Sequence, residues 1–391
     1  LANFNSAKVA RVDYAPDQDA VFFNSDEGRT LNTYRGPRIK PLQKSLKKLN
    51  DEGALDLWYQ YLDNVFPMAT DRRELKRWVA TLVACPDVHM EYGLLMVSER
   101  QGTGKSTLLE KILAPLVGWH NVSVPDADDT IKGSFNTWKA HRRLVLVHEI
   151  YAGNDSRAYN ALKSVITEET CTIKEKYLRD YEVSNWCHVA ASSNSRRCLK
   201  LAHNDRRWLV VEVTEELMPT AFWREFNEWI AGGGLEAIAA WARDFEHHDA
   251  DGADGAAGYV KKGQHAPDTH LKRFMVRENM TPGEEMAHNL AEAMAACEEP
   301  VVLTELEVEA WVHDQRTKAG DNKQREGRDT LRSAMAKVEG VWVAHHSQRV
   351  KADGYVQHVI ANFDLRSRGK LSWKDLRSHR RQPCDVLPET M

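Results

Sequence analysis

The span GLLMVSERQGTGKSTLLEKIL, Gly93 to Leu113, places an apolar run, a Gly-rich turn, the triplet Lys105-Ser106-Thr107 and an amphipathic run in one order. That order suits the binding of a nucleoside triphosphate with Mg²⁺. In such a turn the backbone N–H groups of Gly102, Thr103 and Gly104 point inward around the phosphates, and a helix opening at Lys105 aims the positive end of its dipole at the same anion. Lys105 reaches the β and γ oxygens, the Ser106 hydroxyl ligates Mg²⁺, and Thr107 completes the nucleotide-binding stretch. The pattern also asks for a glycine where this chain has Glu99. A Gly-rich strand-to-helix turn of some other α/β protein is the alternative.

Further along, LVLVHEI is an apolar run ending in His148-Glu149. A carboxylate at a strand end beside a phosphate-binding turn can support Mg²⁺ through a water and aim a second water at the γ-phosphate. Glu149 is therefore the expected catalytic base, and the alternative is a buried strand whose last residues merely reach solvent. CHVAASSN ends at Asn194, whose amide can hydrogen-bond the γ-phosphate and the attacking water. Asp205-Arg206-Arg207-Trp208 then opens another strand-like run. Arginine stabilises the charge on a transferring phosphoryl group and can be supplied by one subunit to the next. One of Arg206 and Arg207 is expected to be that finger, the other to pair with Asp205, and the sequence does not choose between them.

Between Glu149 and Asn194, TCTIKEK and YEVSN read as a hairpin with Tyr177, Leu178, Arg179 and Asp180 near its turn. Lys174, Lys176 and Arg179 supply cationic ends for a single-stranded DNA backbone, and Tyr177 supplies a face on which a base or sugar can rest. The alternation of these charges with Glu175 leaves a solvated hairpin as the alternative.

These residues need a frame to hold them. With 391 residues the chain exceeds what one core usually serves. Hydrophobic residues at 42% and charged residues at 28% read as soluble and globular, and no apolar run has the ~20 residues that span a bilayer. The start, LANFNSAKVARVDYAPDQD, lacks both a signal peptide's apolar segment and an initiator Met, so a piece of a longer or processed protein is expected. The six cysteines are scattered with no C-x-x-C pair, which disfavours zinc and disulfide frameworks and points to a reducing, cytoplasmic setting. A net charge of −4 gives no support to nucleic-acid binding and does not exclude a basic channel in an acidic ring.

Residues 1–42 read as extended segments. In 43–90, LDLWYQYLDNVF and RRELKRWVATLVA carry large apolar residues at three- and four-residue spacing, the pattern of a small helical domain. From 91 to 246 strand-like and helical pieces alternate, which argues for a parallel sheet flanked by helices. The strands would be GLLMVS, NVSVP, RLVLVHE, CHVAASSN and RWLVVEV, enough for an AAA+-like P-loop core. Residues 247–299 begin Gly-, Ala- and Asp-rich and read as a linker with a helix. Over 300–364 two helical runs precede two strand-like runs around Asp353-Gly354, the order of a winged helix, and the basic tail 365–391 is expected to be mobile. Trp58, Trp78, Trp138, Trp223, Trp229 and Trp241 are expected as core or subunit contacts. His247-His248 and His345-His346 lack the further ligands of a metal site.

The order of ERQGTGKST, LVLVHE, LKSVITEETCTIKEKY, VAASSN and NDRRW resembles the superfamily 3 helicase domain of phage and plasmid primase-helicases and primase-polymerases. LNTYRGP and RRELKRWVATLVACP upstream, and HAPDTHLKRFM downstream, extend the likeness over about residues 10 to 280. The resemblance implies a homo-hexameric ring that moves 3′ to 5′ on single-stranded DNA by hydrolysing ATP, with a hairpin from each subunit in the channel. It implies Lys105 and Ser106 as phosphate and metal residues, Glu149 as the Walker B acid, Asn194 as the sensor and Arg206 or Arg207 as the finger acting in trans. Lys176 and Tyr177 fall at the hairpin tip. It further implies a primase or polymerase domain on the same longer chain and a bacterial host cytoplasm, with no membrane. Glu99 for Gly and His148 for Asp depart from the family pattern, and the second puts direct metal support from His148 in question, leaving action through a water. Two other classes remain: an AAA+ loader or remodelling ATPase acting on a replication protein, and a DNA-binding initiator in which the nucleotide serves as a switch.

Overall fold

The computed structural model describes residues 8–126, 135–150, 156–201, 205–245, 258–321, 326–365 and 372–387. The chain divides into two compact units, 1–276 and 277–391.

The first unit opens with three short strands, β1 Arg11–Asp13, β2 Phe22–Ser25 and β3 Gly28–Asn32, in the order β1-β3-β2. The extended N-terminal segment is thus partly paired. Buried Asn32 ties it together, accepting from the backbone N–H groups of Ala15 and Tyr34 and donating to the carbonyls of Ala15 and Gln18. Three helices follow, Leu46–Asp51, Asp56–Val65 and Ala69–Ala84. Their apolar residues recur at helical spacing, so Trp58, Tyr61, Leu62 and Val65 share one buried face, and Leu75, Trp78, Val79 and Leu82 another.

A five-stranded sheet forms the centre, from β4 Gly93–Val97, β5 Val122–Ser123, β6 Leu144–Val147, β9 His188–Ser193 and β10 Trp208–Glu212. Its order is β10-β4-β9-β6-β5 and every pairing is parallel. Strands β4, β6 and β9 are buried along their whole length, as a parallel sheet covered on both faces requires. Since β9 lies between β4 and β6, the segments leaving the carboxyl ends of these three strands emerge side by side, where open α/β sheets bind their ligands. The helices Ser156–Thr167, Thr220–Trp229 and Leu235–Arg243 complete this frame. Between β6 and β9 the chain makes an antiparallel ribbon, β7 Thr170–Ile173 with β8 Tyr181–Ser184.

The second unit packs the helices Pro282–Ala296, Glu305–Lys318 and Arg328–Met335 around one core cluster. Thr281 and Thr304 each open a helix with a reciprocal cap, to Glu284 and Glu307. Its strands β11 Val302–Thr304, β15 Val359–Ala361 and β12 Trp342–Val343 pair antiparallel in the order β11-β15-β12. The strands β13 Val350–Ala352 and β14 Tyr355–Gln357 form a hairpin turned at Asp353-Gly354.

The described part of the basic tail makes contacts within its own unit. Leu376 is buried, and Arg380 meets Glu307 at 2.6 Å and Asp353 at 2.7 Å. Those carboxylates are far away in sequence, so the basic run by itself reads as solvated. Among the described residues no helix is long and apolar enough to cross a membrane.

Candidate nucleotide site

The turn after β4 has the shape its glycines permit. Gly102 (φ 76°) and Gly104 (φ 108°) both occupy the left-handed region. A Cβ at Gly104 would also stand 3.0 Å from the Trp223 ring and 3.2 Å from Val65, so this turn needs glycine for space as well as conformation. The Tyr61 hydroxyl donates to the Gly104 carbonyl at 3.0 Å, so the helix Asp56–Val65 supports the turn from behind. Helical backbone starts at Lys105, becomes π-wound over Thr107–Leu113 and continues as Ala114–Val117.

A cavity of about 470 Å³ opens over this turn. Its lining includes Gly102, Thr103, Gly104, Lys105, Ser106 and Thr107 from the turn, His148 and Glu149 from the end of β6, Asn194 from the end of β9, and Trp223. Residues far apart in sequence thus meet in one place because β4, β9 and β6 are neighbours. The Lys105 ammonium is folded back, donating to the carbonyl of Arg100 at 3.1 Å and to Ser98. Burial pushes its pKa below the ordinary lysine value, opposed by the charges of Glu215 and Glu149.

Glu149 has φ 51°, uncommon for a residue with a side chain. The next residue is pinned, since the Ile150 N–H donates to the Ser192 carbonyl at 3.0 Å and the Ser193 hydroxyl donates to the Ile150 carbonyl at 2.8 Å. The backbone at Glu149 is thereby fixed against β9. His148 carries its Nε2 to 3.1 Å from the Glu110 carboxylate on the π-wound turn. Among the described residues no group of three or more His, Cys, Asp or Glu side chains could hold a metal ion by itself. The donors present, a Ser106 hydroxyl and one nearby carboxylate, fit Mg²⁺ held chiefly through nucleotide phosphates.

Arg206 and Arg207 lie outside the lining of this cavity. Arg206 is exposed and Arg207 half-buried, in the turn entering β10. Asp205, whose side chain is buried, accepts from the backbone N–H groups of Arg207 and Trp208 at 3.0 Å and stands 3.5 Å from the buried Lys272 ammonium. Burial lowers the Lys272 pKa, and the Asp205 charge works against that shift.

The hairpin has a buried root and an exposed tip. Cys171, Ile173 and Val183 face inward, while Tyr177 is 90% exposed and Leu178 60%. Asn136 fastens the first strand just below the tip, its side chain accepting from the Lys174 N–H at 2.7 Å and donating to the Thr172 carbonyl at 3.0 Å. Tyr177 has φ 68°, and the Lys176 ammonium lies 4.9 Å from its ring centre. Lys174, Lys176, Tyr177 and Arg179 therefore gather at one end of the ribbon.

Two residues of the site gave no signal in the sequence. Trp223, expected in the core or at a subunit contact, lines the cavity. Glu215 accepts from the backbone N–H groups of Glu99 and Arg100, both at 2.8 Å.

A family of unknown function, DUF5906, matches residues 96–207. The DNA primase-polymerase of Nitratiruptor phage NrS-1 is 30% identical over 127 residues, which are 32% of this chain and 17% of that protein. An apo structure of the NrS-1 C-terminal region superposes with a TM-score of 0.56 at 17% identity, covering 84% of this chain and 72% of that one. An A-form apo structure of the same region gives 0.53 at 18%, with the same coverage. At such identity the structural likeness shows a common fold.

Proposed function

We propose that this chain is an ATP-driven motor of DNA replication that moves 3′ to 5′ along single-stranded DNA as a homo-hexameric ring. The observation that carries the reading is the convergence of Lys105, Ser106, Glu149 and Asn194, from three strand ends, on one cavity over a Gly-rich turn. The similarity to a phage DNA primase-polymerase supports a role in replication. We further read primase or polymerase chemistry onto the same longer chain and residues 300–364 as a winged-helix-like module.

In this mechanism Lys105 swings from its loop oxygens to the β- and γ-phosphates, and the turn's N–H groups hold the remaining oxygens. The Ser106 hydroxyl would hold a Mg²⁺ ion bound with the nucleotide, and that ion would neutralise charge on the phosphates. Glu149 takes a proton from the attacking water, and Asn194 fixes that water relative to the γ-phosphate. An arginine of the adjoining subunit, Arg206 or Arg207, stabilises the charge that develops. The hairpin tips carry the resulting movement to DNA.

Lys105→Ala is expected to weaken ATP binding about 10- to 100-fold, the scale of a lost hydrogen bond between charged groups. Equilibrium binding of a fluorescent ATP analogue checks it, and unchanged affinity would refute the nucleotide site.

Replacing Lys176 and Tyr177 together by Ala should lower single-stranded DNA affinity about 10- to 100-fold and remove DNA stimulation of ATP turnover. Fluorescence anisotropy with a labelled oligonucleotide reads the first effect. Unchanged DNA affinity would favour the loader, whose hairpin touches protein.

A further inference from the structure

We propose that Glu215 is a positioning residue of the nucleotide site, its carboxylate clamping the mouth of the phosphate-binding loop through two consecutive backbone N–H groups. The inference rests on the nucleotide reading above and adds to it a residue outside the loop.

Glu215 follows β10, and its approach is fixed from two sides. The Val213 N–H donates to the Val97 carbonyl and the Thr214 N–H to the Val65 carbonyl, both at 2.9 Å. One sheet neighbour and the end of one helix thus deliver the carboxylate to the loop. There Oε1 accepts from the Glu99 N–H and Oε2 from the Arg100 N–H, both at 2.8 Å, while Arg100 Nη1 donates to the Glu215 carbonyl at 3.3 Å. Hydrogen bonds to an ionised acceptor are about twice as strong as neutral ones, and a bidentate pair also fixes orientation.

This arrangement accounts for the glycine that the loop lacks. Positive φ occurs at Gly102 and Gly104 and not at Glu99, so position 99 accepts a side chain. That side chain turns outward, 3.7 Å from Arg196, which also meets Glu212 at 3.5 Å. The first two N–H groups of the loop are directed at Glu215, leaving those of Gly102 to Lys105 for phosphate. The carbonyl of Arg100 is one of the oxygens that hold Lys105. When Lys105 leaves those oxygens for a nucleotide, the clamp keeps the loop in its open shape.

The test uses the full chain and the variants Glu215→Ala, Glu215→Gln and Lys105→Ala. Each is titrated with a fluorescent, non-hydrolysable ATP analogue and assayed for steady-state ATP turnover. Glu215→Ala should weaken analogue binding and raise KM for ATP by about tenfold, the scale of one charge-assisted hydrogen bond, with kcat within about twofold of wild type. Glu215→Gln keeps one acceptor oxygen and should fall between. Because Glu215 is exposed, the unfolding midpoint without nucleotide should not move, while the midpoint shift on adding the analogue should shrink. Wild-type analogue affinity in Glu215→Ala, with affinity lost in Lys105→Ala, would overturn the clamp alone, and so would a fall in kcat at unchanged KM. Wild-type affinity in both variants would overturn the nucleotide reading and the clamp with it.

Discussion

Glu149→Gln should still bind ATP yet lose about 10²- to 10⁴-fold in turnover, the range a positioned general base contributes. The amide is nearly the size of the carboxylate, so the cavity keeps its shape, but it cannot take a proton from water. The strained backbone makes the effect specific to this residue. A φ of 51° costs on the order of 1–3 kcal/mol and persists only where the surroundings impose it. Here the Ile150 bonds to Ser192 and Ser193 impose it. The same bonds keep the side chain beside Lys105 and Asn194 in the cavity lining. Phosphate release and analogue binding, measured on one preparation, separate the two steps. Normal turnover would remove Glu149 from the role of base.

Arg206→Ala is expected to cost about 10³- to 10⁵-fold in turnover with ATP binding retained, the scale of an arginine finger. Its exposure favours it over Arg207. Arg206 is exposed while Arg207 is half-buried. The turn that presents it rests on buried Asp205 and Lys272, a pair whose attraction partly offsets the cost of removing both charges from water. Since Arg206 does not line the cavity of its own chain, its phosphate would belong to a neighbouring subunit. Mixing provides the check. Arg206→Ala subunits keep a sound ATP site, and Lys105→Ala subunits keep the arginine, so a mixture should regain turnover that neither shows alone. A mixture as inactive as its parts would exclude action in trans, and an unimpaired Arg206→Ala would transfer the role to Arg207.

The central sheet was legible because strands buried on both faces are mostly apolar runs, and GLLMV, LVLV and WLVV stand out from their surroundings. The ribbon was legible for a different reason. TCTI alternates exposed and buried residues, and the following charges mark the tip. Glu149 and Asn194 could be named as candidates because they lie just past the ends of recognisable strands, and Lys105 and Ser106 because they close the Gly-rich turn after another. Glu215 could not, since its value arises only when β10 lies next to β4, and no local pattern records which strands become neighbours. The partnership of Asp205 with Lys272 was hidden in the same way, by a long separation in sequence. Strands β1 to β3 are too short for period-two alternation to show. The approach of His148 to Glu110 could not be read from the chain either, because the two lie on separate elements.

The bond from Tyr61 to the Gly104 carbonyl bears on where this chain can be cut. Tyr61 belongs to the helices ahead of the sheet, and one continuous core cluster runs from Leu46 through the sheet to Val260. A fragment started at residue 91 would leave the back of the phosphate-binding turn facing water, with Val65 and Tyr61 gone from beneath Gly104. The smallest piece that keeps this turn intact must therefore begin upstream of Asp56, and these helices are the foundation on which the Gly-rich turn rests.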